Sequence, residues 1–278
     1  MSTPTPTDAN TAAALAQLHA GAESLWQAAA PLWPGLSVEV VPAIDSTNAE
    51  LMRRARAGQT EPVVLAAVHQ HAGRGRLGRP WVTLPGASLA FSIGAVLAPA
   101  DWSGLSLAVG VAVAEALSPA VQLKWPNDLW WNGRKLGGIL IETATLDGAA
   151  AGQRYAVIGI GLNLATPALP ADAPADALPP VGLRELAQAL GQPAPALGAT
   201  WAAVAAAVLR ALPAFEREGF APWAARYAAR DALRGRGVRL SDGGEGVADG
   251  VAPDGALRVR SATGLRHVHQ GEVSVRPC

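Results

Sequence analysis

The sequence predicts an α/β (α+β) protein in which helices and strands alternate, followed by a small C-terminal β-barrel of about five strands. Up to about residue 230, apolar runs of strand length alternate with alanine-rich helical stretches. From residue 235 onward, valine and leucine runs alternate with Asp-Gly pairs at 242–243, 249–250 and 254–255, which are strong reverse-turn signals. A chain of 278 residues is long enough to form one large and one small domain.

The N-terminal part alternates helix and strand. Residues 9–30 are alanine-rich and predict a helix, and the valines within 38–41 predict a short strand. A second helix begins after Asp45, where the spacing of Thr47 and Glu50 predicts a capping box with Thr47 as the N-cap residue.

The remainder of the larger domain follows from its apolar periodicity. Predicted strands occupy residues 63–68, 88–97, 121–125, 136–142 and 155–164. Predicted helices occupy residues 103–117, 182–190, 198–211 and 221–230. A Pro-, Ala- and Asp-rich segment at 166–180 is predicted to be a loop.

The composition argues against several functional classes. The 22 basic residues balance 22 acidic ones, and a zero net charge argues against general binding to nucleic acid. Residues 1–10 lack the basic and apolar regions of a secretory signal. Prolines interrupt the uncharged run at 80–100, which predicts a buried strand rather than a membrane span. The single cysteine, Cys278, fits a reducing compartment, so we expect a cytoplasmic protein that binds neither nucleic acid nor membrane.

An arginine- and glycine-rich segment at residues 73–79 is the first candidate for an anion-binding site. It reads Gly-Arg-Gly-Arg-Leu-Gly-Arg, so glycines that cannot fill a core separate three guanidinium groups. Such a loop suits a phosphate or a carboxylate, and a solvated basic loop without function is the alternative. Its glycine spacing also matches a dinucleotide fingerprint, but Pro80 and Pro85 prevent the helix that this fingerprint must open.

A second candidate is the segment Lys-Trp-Pro-Asn-Asp at 124–128, where a predicted strand ends at a proline. Lys124 and Lys135 are the only lysines among the 22 basic residues. An arginine-biased composition explains this rarity about as well as a specific need for a compact ammonium group at Lys124.

Glycines on two predicted neighbouring strands form a third pattern, at Gly138, Gly159 and Gly161. They predict a slot in which a flat ligand could lie, with β-bulges as the alternative. The pairs of histidines at 69 and 71 and at 267 and 269 have no neighbouring cysteine or second acidic ligand, so no fixed protein metal site is predicted.

Together these segments resemble biotin protein ligases in their order and approximate spacing, over about residues 43–276. The matching blocks are Asp-Ser-Thr-Asn at 45–48, Gln70, residues 73–79 with Trp81, and residues 124–128, 135–140 and 159–163. The combination of Gly-Arg-Gly-Arg with Lys-Trp-Pro-Asn-Asp is the most specific part. The resemblance implies an α/β catalytic domain built on a mixed sheet with helices, related in fold to lipoate ligases and class II aminoacyl-tRNA synthetases. A small SH3-like barrel is implied to follow it.

The resemblance also implies a reaction and its residues. Such ligases activate biotin with ATP and Mg²⁺ to biotinyl-5′-AMP and transfer biotin to one lysine of a biotin carboxyl carrier domain. The implied catalytic residues are Lys124 and Arg76. The implied biotin-binding residues are Ser46, Thr47, Asn48, Gln70, Gly73, Arg74, Gly75, Arg76, Lys124, Gly138, Gly159 and Gly161. The implied ATP-binding residues are Arg76, Arg79, Trp81, Asn127 and Asn163.

The expected organisation is an N-terminal helical segment at 1–42, a catalytic domain at 43–230 and the SH3-like domain at 231–278. The first segment contains no lysine or arginine and is shorter than the DNA-binding domain that some such ligases carry, so a repressor role is not expected. We expect a monomer or a weak homodimer. Two rivals remain, a lipoate protein ligase on the same scaffold and a nucleic-acid-binding module.

Overall fold

The computed structural model describes residues 8–146, 148, 150, 152–168, 179–269 and 275–277. The central part of the predicted loop at 166–180 therefore lies outside the described residues.

A seven-stranded mixed sheet forms the centre of the larger unit, with strand order β1-β2-β3-β7-β6-β5-β4. Its strands are β1 (Ser37–Ile44), β2 (Val63–Gln70), β3 (Ser88–Leu97), β4 (Gln122–Lys124), β5 (Asp128–Trp131), β6 (Arg134–Thr145) and β7 (Arg154–Asn163). Strands β1 and β2 pair in parallel and the other neighbours pair antiparallel. The mixed sheet that the resemblance implies is thereby confirmed.

Helices cover both faces of this sheet. They are α1 (Asp8–Ala29), α2 (Thr47–Arg56), α3 (Leu105–Leu117), α4 (Leu183–Ala189), α5 (Leu197–Glu218) and α6 (Ala224–Ala228). Helix α5 packs on α1 and α3, and the three share the main hydrophobic core with the sheet. Helix α2 packs separately, where Leu51 and Met52 contact a smaller apolar cluster with Tyr155 and Val157. The site described below lies beside the beginning of α2.

Helix α5 is long and apolar enough to cross a membrane by length and composition alone, and it is the one such helix in the described part of the chain. More than half of its apolar window, 56%, is nevertheless buried inside the protein, as is typical of a core helix. It continues through Pro213 to Glu218, whereas the sequence predicts an end near residue 211. Burial of Leu212 and Phe215 against the core offsets the hydrogen bond that proline removes.

The beginning of α2 corrects the predicted capping box. Ser46, with extended backbone angles, is the N-cap residue, and its Oγ accepts a hydrogen bond from the backbone N–H of Ala49 at 3.4 Å. Thr47 is already helical, and its hydroxyl donates instead to Gln70. Glu50 pairs with arginines of its own helix rather than with the cap. The prediction of Thr47 as the cap was wrong by one residue, because the hydroxyl of Thr47 forms a tertiary hydrogen bond with Gln70 instead of capping the helix.

Strand β5 was not predicted as a separate strand. The predicted strand at 121–125 is shorter, and the chain reverses after Lys124 so that Asp128 pairs with it across β4 and β5. This hairpin places the side chain of Asp128 beside Lys124, instead of on a loop that leaves the sheet.

The C-terminal part forms a five-stranded antiparallel sheet with strand order β11-β10-β9-β8-β12. Its strands are β8 (Gly237–Leu240), β9 (Glu245–Val251), β10 (Leu257–Ser261), β11 (Gly264–Val268) and β12 (Val275–Pro277). The predicted small five-stranded β unit is confirmed. It contacts the larger unit through Trp125, whose indole Nε1 donates to the carbonyl of Gly255 at 3.0 Å.

Candidate active site

A single cavity collects most of the residues that the sequence predicts as ligand-binding. It lies between the start of α2, the segment 73–81, the β4–β5 turn and the glycines of β6 and β7. The predicted residues that line it are Ser46, Thr47, Asn48, Gln70, Arg74, Gly75, Arg76, Arg79, Trp81, Lys124, Asn127, Gly138, Gly159 and Gly161.

One end of the cavity is polar and uncharged. Gln70 Oε1 accepts hydrogen bonds from the backbone N–H of Thr47 at 2.8 Å and from its hydroxyl at 3.1 Å. Ser92 Oγ lies 2.7 Å from Thr47 Oγ1 and 2.6 Å from Asn48 Oδ1. All four side chains are buried, so their hydrogen bonds hold hydroxyl and amide groups in fixed orientations at this end. This end of the cavity therefore suits a polar but uncharged part of a ligand.

Asn48 is held from its other side by β6. Its Nδ2 donates to Glu142 Oε2 at 2.8 Å and to the carbonyl of Leu140 at 3.3 Å. Ser92 and Glu142 were not predicted as site residues, since each is an isolated polar residue within a strand. The available signal was a polar residue that interrupts an apolar run, at Phe-Ser-Ile and at Ile-Leu-Ile-Glu.

The glycines of β7 give space to two side chains of the protein itself. A Cβ atom at Gly159 would overlap Asn48, and one at Gly161 would overlap the indole of Trp81. Both glycines pair in regular register with β3 and β6, so they are not bulges. Asn48 and Trp81 fill the part of the predicted slot next to these glycines. At Gly138 the nearest neighbouring atom to an added Cβ is Lys135 Nζ at 3.5 Å.

The arginine-rich segment forms a tight hairpin over the cavity. The N–H of Gly75 donates to the carbonyl of Arg79, and the N–H of Trp81 to that of Gly73, each at 2.8 Å. Only a three-residue turn of 3₁₀ helix, Arg76–Gly78, forms at its tip, and Leu77 there has a positive φ of 58°. The segment opens no α-helix, which agrees with the rejection of the dinucleotide fingerprint.

The other end of the cavity is cationic. Lys124 is 4% exposed, and its Nζ lies 3.6 Å from Asp128 Oδ2 and 5.6 Å from the centre of the Trp130 ring. Lys135 Nζ lies 2.7 Å from Asp128 Oδ1. Burial raises the pKa of Asp128, but the positive charges of Lys135 and Lys124 more than offset it and hold that pKa below its ordinary value. A carboxylate therefore stands between the two ammonium groups.

Arg76 belongs to the same end. Its burial lowers the pKa of the guanidinium, an effect that Asp128 opposes and the neighbouring Arg79 reinforces. A guanidinium that is partly desolvated beside another cation is stabilised when an anion binds between them.

Two predicted residues do not line the cavity. Asn163 Nδ2 donates to the carbonyls of Lys135 and Val181, so this amide ties β7 to β6 and to the segment before α4. Gly73 lies at the base of the hairpin, where a Cβ atom would overlap the carbonyl of Trp81. Asn163 and Gly73 therefore affect the cavity indirectly, because each helps to position backbone segments that border it.

Among the described residues, no three His, Cys, Asp or Glu side chains gather in a way that could hold a metal ion. The cavity thus combines hydroxyl and amide groups at one end with ammonium and guanidinium groups at the other.

Comparisons with known proteins give the family of the chain. The profile of the biotin/lipoate A/B protein ligase family matches residues 40–163, and that of the biotin protein ligase C-terminal domain matches residues 235–276. Biotin–[acetyl-CoA-carboxylase] ligase of Paracoccus denitrificans is 34% identical over 240 residues, which are 82% of this chain and 96% of that protein. The chain belongs to the biotin protein ligases. The bifunctional ligase/repressor BirA of Escherichia coli is 36% identical over 252 residues, which are 87% of this chain and 75% of that protein.

A solved structure extends this result to the fold. The biotin protein ligase of Aquifex aeolicus, in complex with biotin and ATP, superposes with a TM-score of 0.66 at 25% identity. The match covers 88% of this chain and all of that one. The predicted biotin protein ligase, with its α/β catalytic unit and SH3-like C-terminal domain, is confirmed over the lipoate ligase and the nucleic-acid-binding module. The predicted domain boundaries and residue roles stay predictions.

Proposed function

We propose that this biotin protein ligase activates biotin with ATP to biotinyl-5′-AMP and transfers the biotinyl group to a lysine of a biotin carboxyl carrier domain. The polarity of the cavity carries the proposal, because its two ends match the two ends of biotin, a neutral ureido ring and a carboxylate. The Aquifex relative that was solved with biotin and ATP supports both substrates. The name of the Paracoccus relative supports a carboxylase as the source of the acceptor.

The neutral end is assigned to the ureido ring. A cyclic urea offers one carbonyl acceptor and two N–H donors, which hydroxyl and amide groups can both satisfy. Ser46, Thr47, Asn48 and Gln70 supply such groups within the cavity. A charged ring would find no counter-ion among these four side chains.

The cationic end is assigned to the reacting groups. The biotin carboxylate must attack the α-phosphorus of ATP, although both groups are negative and repel each other. Lys124 and Arg76, which line the cavity, are assigned to neutralise this charge and align the groups, and Arg79, also in the lining, is assigned to the phosphates. Trp81 and Asn127 are assigned to the nucleotide. Asn163, which does not line the cavity, is assigned an indirect role there.

Mg²⁺ enters as part of the substrate Mg·ATP. A biotin carboxylate oxygen bonds to the α-phosphorus of ATP as the bond from that phosphorus to the oxygen bridging the α- and β-phosphorus atoms breaks, and pyrophosphate leaves with that oxygen. In the second step a carrier lysine amine attacks the biotin carbonyl carbon. An amide bond forms, AMP leaves, and the amine loses one proton to solvent. The arginine-rich hairpin covers the adenylate between these steps and protects it from water.

The proposed setting is the cytoplasm, because a chain whose single cysteine is Cys278 fits a reducing compartment, and the protein is proposed to act as a monomer or weak homodimer. No role in nucleic-acid binding is proposed, in line with the zero net charge.

The decisive experiment is mass spectrometry of a purified carrier domain incubated with this protein, biotin and ATP. We expect one biotinyl group on one lysine, dependent on both small molecules and not formed with lipoate. Lys124→Arg should reduce biotin-dependent ATP–pyrophosphate exchange at least about a hundredfold. The larger, planar guanidinium group of arginine cannot replace a compact ammonium group at a buried position. An unmodified carrier, or transfer of lipoate in place of biotin, would overturn the proposal.

A further inference from the structure

The amide of Asn48 has only one orientation that satisfies its surroundings. Two acceptors face its Nδ2, Glu142 Oε2 at 2.8 Å and the carbonyl of Leu140 at 3.3 Å. The two hydrogens of the NH₂ group are thus directed to β6. The amide oxygen is directed to the opposite side, where Ser92 Oγ lies 2.6 Å away on β3. A flipped amide would place its oxygen against two acceptors.

This orientation decides what Asn48 offers to a ligand. A carbonyl oxygen has two lone pairs, and the contact with Ser92 engages one of them. The second can accept an N–H from a ligand in the cavity that Asn48 lines. Gln70 is oriented in the opposite sense, since its Oε1 accepts from Thr47 and its NH₂ group is left to donate. The neutral end therefore presents an acceptor at Asn48 and a donor at Gln70.

We propose that Glu142 is a positioning residue that sets ligand specificity, by holding the Asn48 amide so that the cavity accepts an N–H and rejects a ligand with an oxygen at that point. The inference rests on the proposed function, because the ligand tested is the cyclic urea of biotin. Glu142 does not line the cavity, yet through Asn48 it would make the site select a cyclic urea over a cyclic carbamate of the same size.

Glu142 has a second contact that the experiment must separate from the first. Its Oε1 lies 3.9 Å from Arg74 Nη2 in the hairpin, a long and half-exposed ion pair. Glu142→Gln removes the charge but keeps an oxygen that can accept from Asn48 Nδ2. Glu142→Ala removes both contacts. Glu39 provides a matched control, because it pairs with Arg54, has a similar side-chain exposure of 34% against 31%, and does not line the cavity.

The measurements are the KM for biotin and the preference for biotin over an analogue in which one ureido N–H is replaced by oxygen. We expect Glu142→Gln and Glu39→Ala to behave like the wild type. Glu142→Ala should raise the KM about tenfold, because it removes the acceptor that the buried Asn48 amide donates to. It should also reduce the preference for the urea, because the released amide of Asn48 can turn its NH₂ group toward the ring oxygen of the analogue.

A reciprocal pair tests the same contact from the other side. Asn48→Asp places two carboxylates about 2.8 Å apart, which like-charge repulsion disfavours. Adding Glu142→Gln restores a donor opposite the new carboxylate and leaves an acceptor facing the cavity. We expect the double variant to recover biotin binding that Asn48→Asp has lost, measured by calorimetry on variants with confirmed thermal unfolding transitions.

Several outcomes would overturn the inference. An unchanged KM and urea preference in Glu142→Ala would show that Asn48 is oriented without Glu142. Equal damage in Glu142→Gln and Glu142→Ala would assign the effect to the charge facing Arg74. Wild-type protein that neither binds biotin nor supports pyrophosphate exchange would refute the proposed function and this inference together, whereas the first two outcomes refute the inference alone.

Discussion

Asp128 accepts a hydrogen bond from the ammonium group of Lys135 at 2.7 Å, and on its other side it lies 3.6 Å from the second lysine of the chain, Lys124. The β4–β5 hairpin creates this arrangement, because it folds Asp128 back onto Lys124. One buried carboxylate thus holds the only two lysines of the sequence at the cationic end of the cavity.

Asp128→Asn should destabilise the protein at neutral pH by about 3–5 kcal/mol, because it leaves two ammonium groups without their shared counter-charge. Urea unfolding at pH 7 measures the loss. Glu218→Gln is the control, since it alters an exposed ion pair with Arg217 that contributes little. Equal stability of both variants would contradict the role assigned to Asp128.

The carboxylate of Asp128 also makes the stability of the folded protein depend on pH. The pKa of Asp128 in the folded protein is below its ordinary value, so the carboxylate contributes stability above its unfolded pKa of about 3.9. That contribution is lost as the pH falls through the lower, folded pKa. We expect the stability difference between wild type and Asp128→Asn to be constant above about pH 5 and to shrink at lower pH. A difference that grows on acidification would reverse the sign and refute this assignment.

Gly161→Ala should expel the indole of Trp81 from the cavity, because the new Cβ would overlap its ring. The expected result is weaker ATP binding by calorimetry, since Trp81 then no longer borders the nucleotide site. The double variant Gly161→Ala with Trp81→Ala is the control for strain. If the steric account is correct, the stability loss of Gly161→Ala nearly vanishes in the Trp81→Ala background. Simple additivity of the two losses would argue against it.

Trp125→Phe tests the connection between the two sheets. The substitution keeps an aromatic ring in the core but removes the N–H that donates to the carbonyl of Gly255 in the turn between β9 and β10. We expect a loss of about 1–3 kcal/mol, because a buried acceptor is left unsatisfied. Chemical denaturation gives the value. Trp26→Phe, at a position 51% exposed, is the matched control and should leave stability nearly unchanged.

Arg76→Gly should loosen retention of the adenylate, because it removes a half-buried guanidinium from the hairpin that covers the cavity. We expect faster release of biotinyl-5′-AMP and indiscriminate labelling of bystander lysines, followed by mass spectrometry of a mixed protein sample. Arg56→Gly, at the exposed end of α2, controls for the loss of one positive charge. Adenylate retained as tightly as in the wild type would rule out the covering role.

Much of the site could be predicted from short sequence blocks. The hairpin at 73–79 and the segment 124–128 place cations at one cavity end, as their composition indicates. Ser92 and Glu142 could not be found in this way, because each acts on Asn48 from a strand more than 40 residues distant. Only the alignment of β3, β7 and β6 in one sheet brings them to the same amide.

The sequence by itself determined the fold class, the family resemblance and the cationic character of the arginine hairpin, since apolar periodicity, turn residues and motif spacing are local properties. Tertiary structure alone decided that Ser46 rather than Thr47 caps α2, that Trp81 fills the space over Gly161, and that Asp128 stands between two lysines. Strand register and packing set these relationships. They depend on which distant groups compete for the same hydrogen bond or the same volume, and no local pattern encodes that competition.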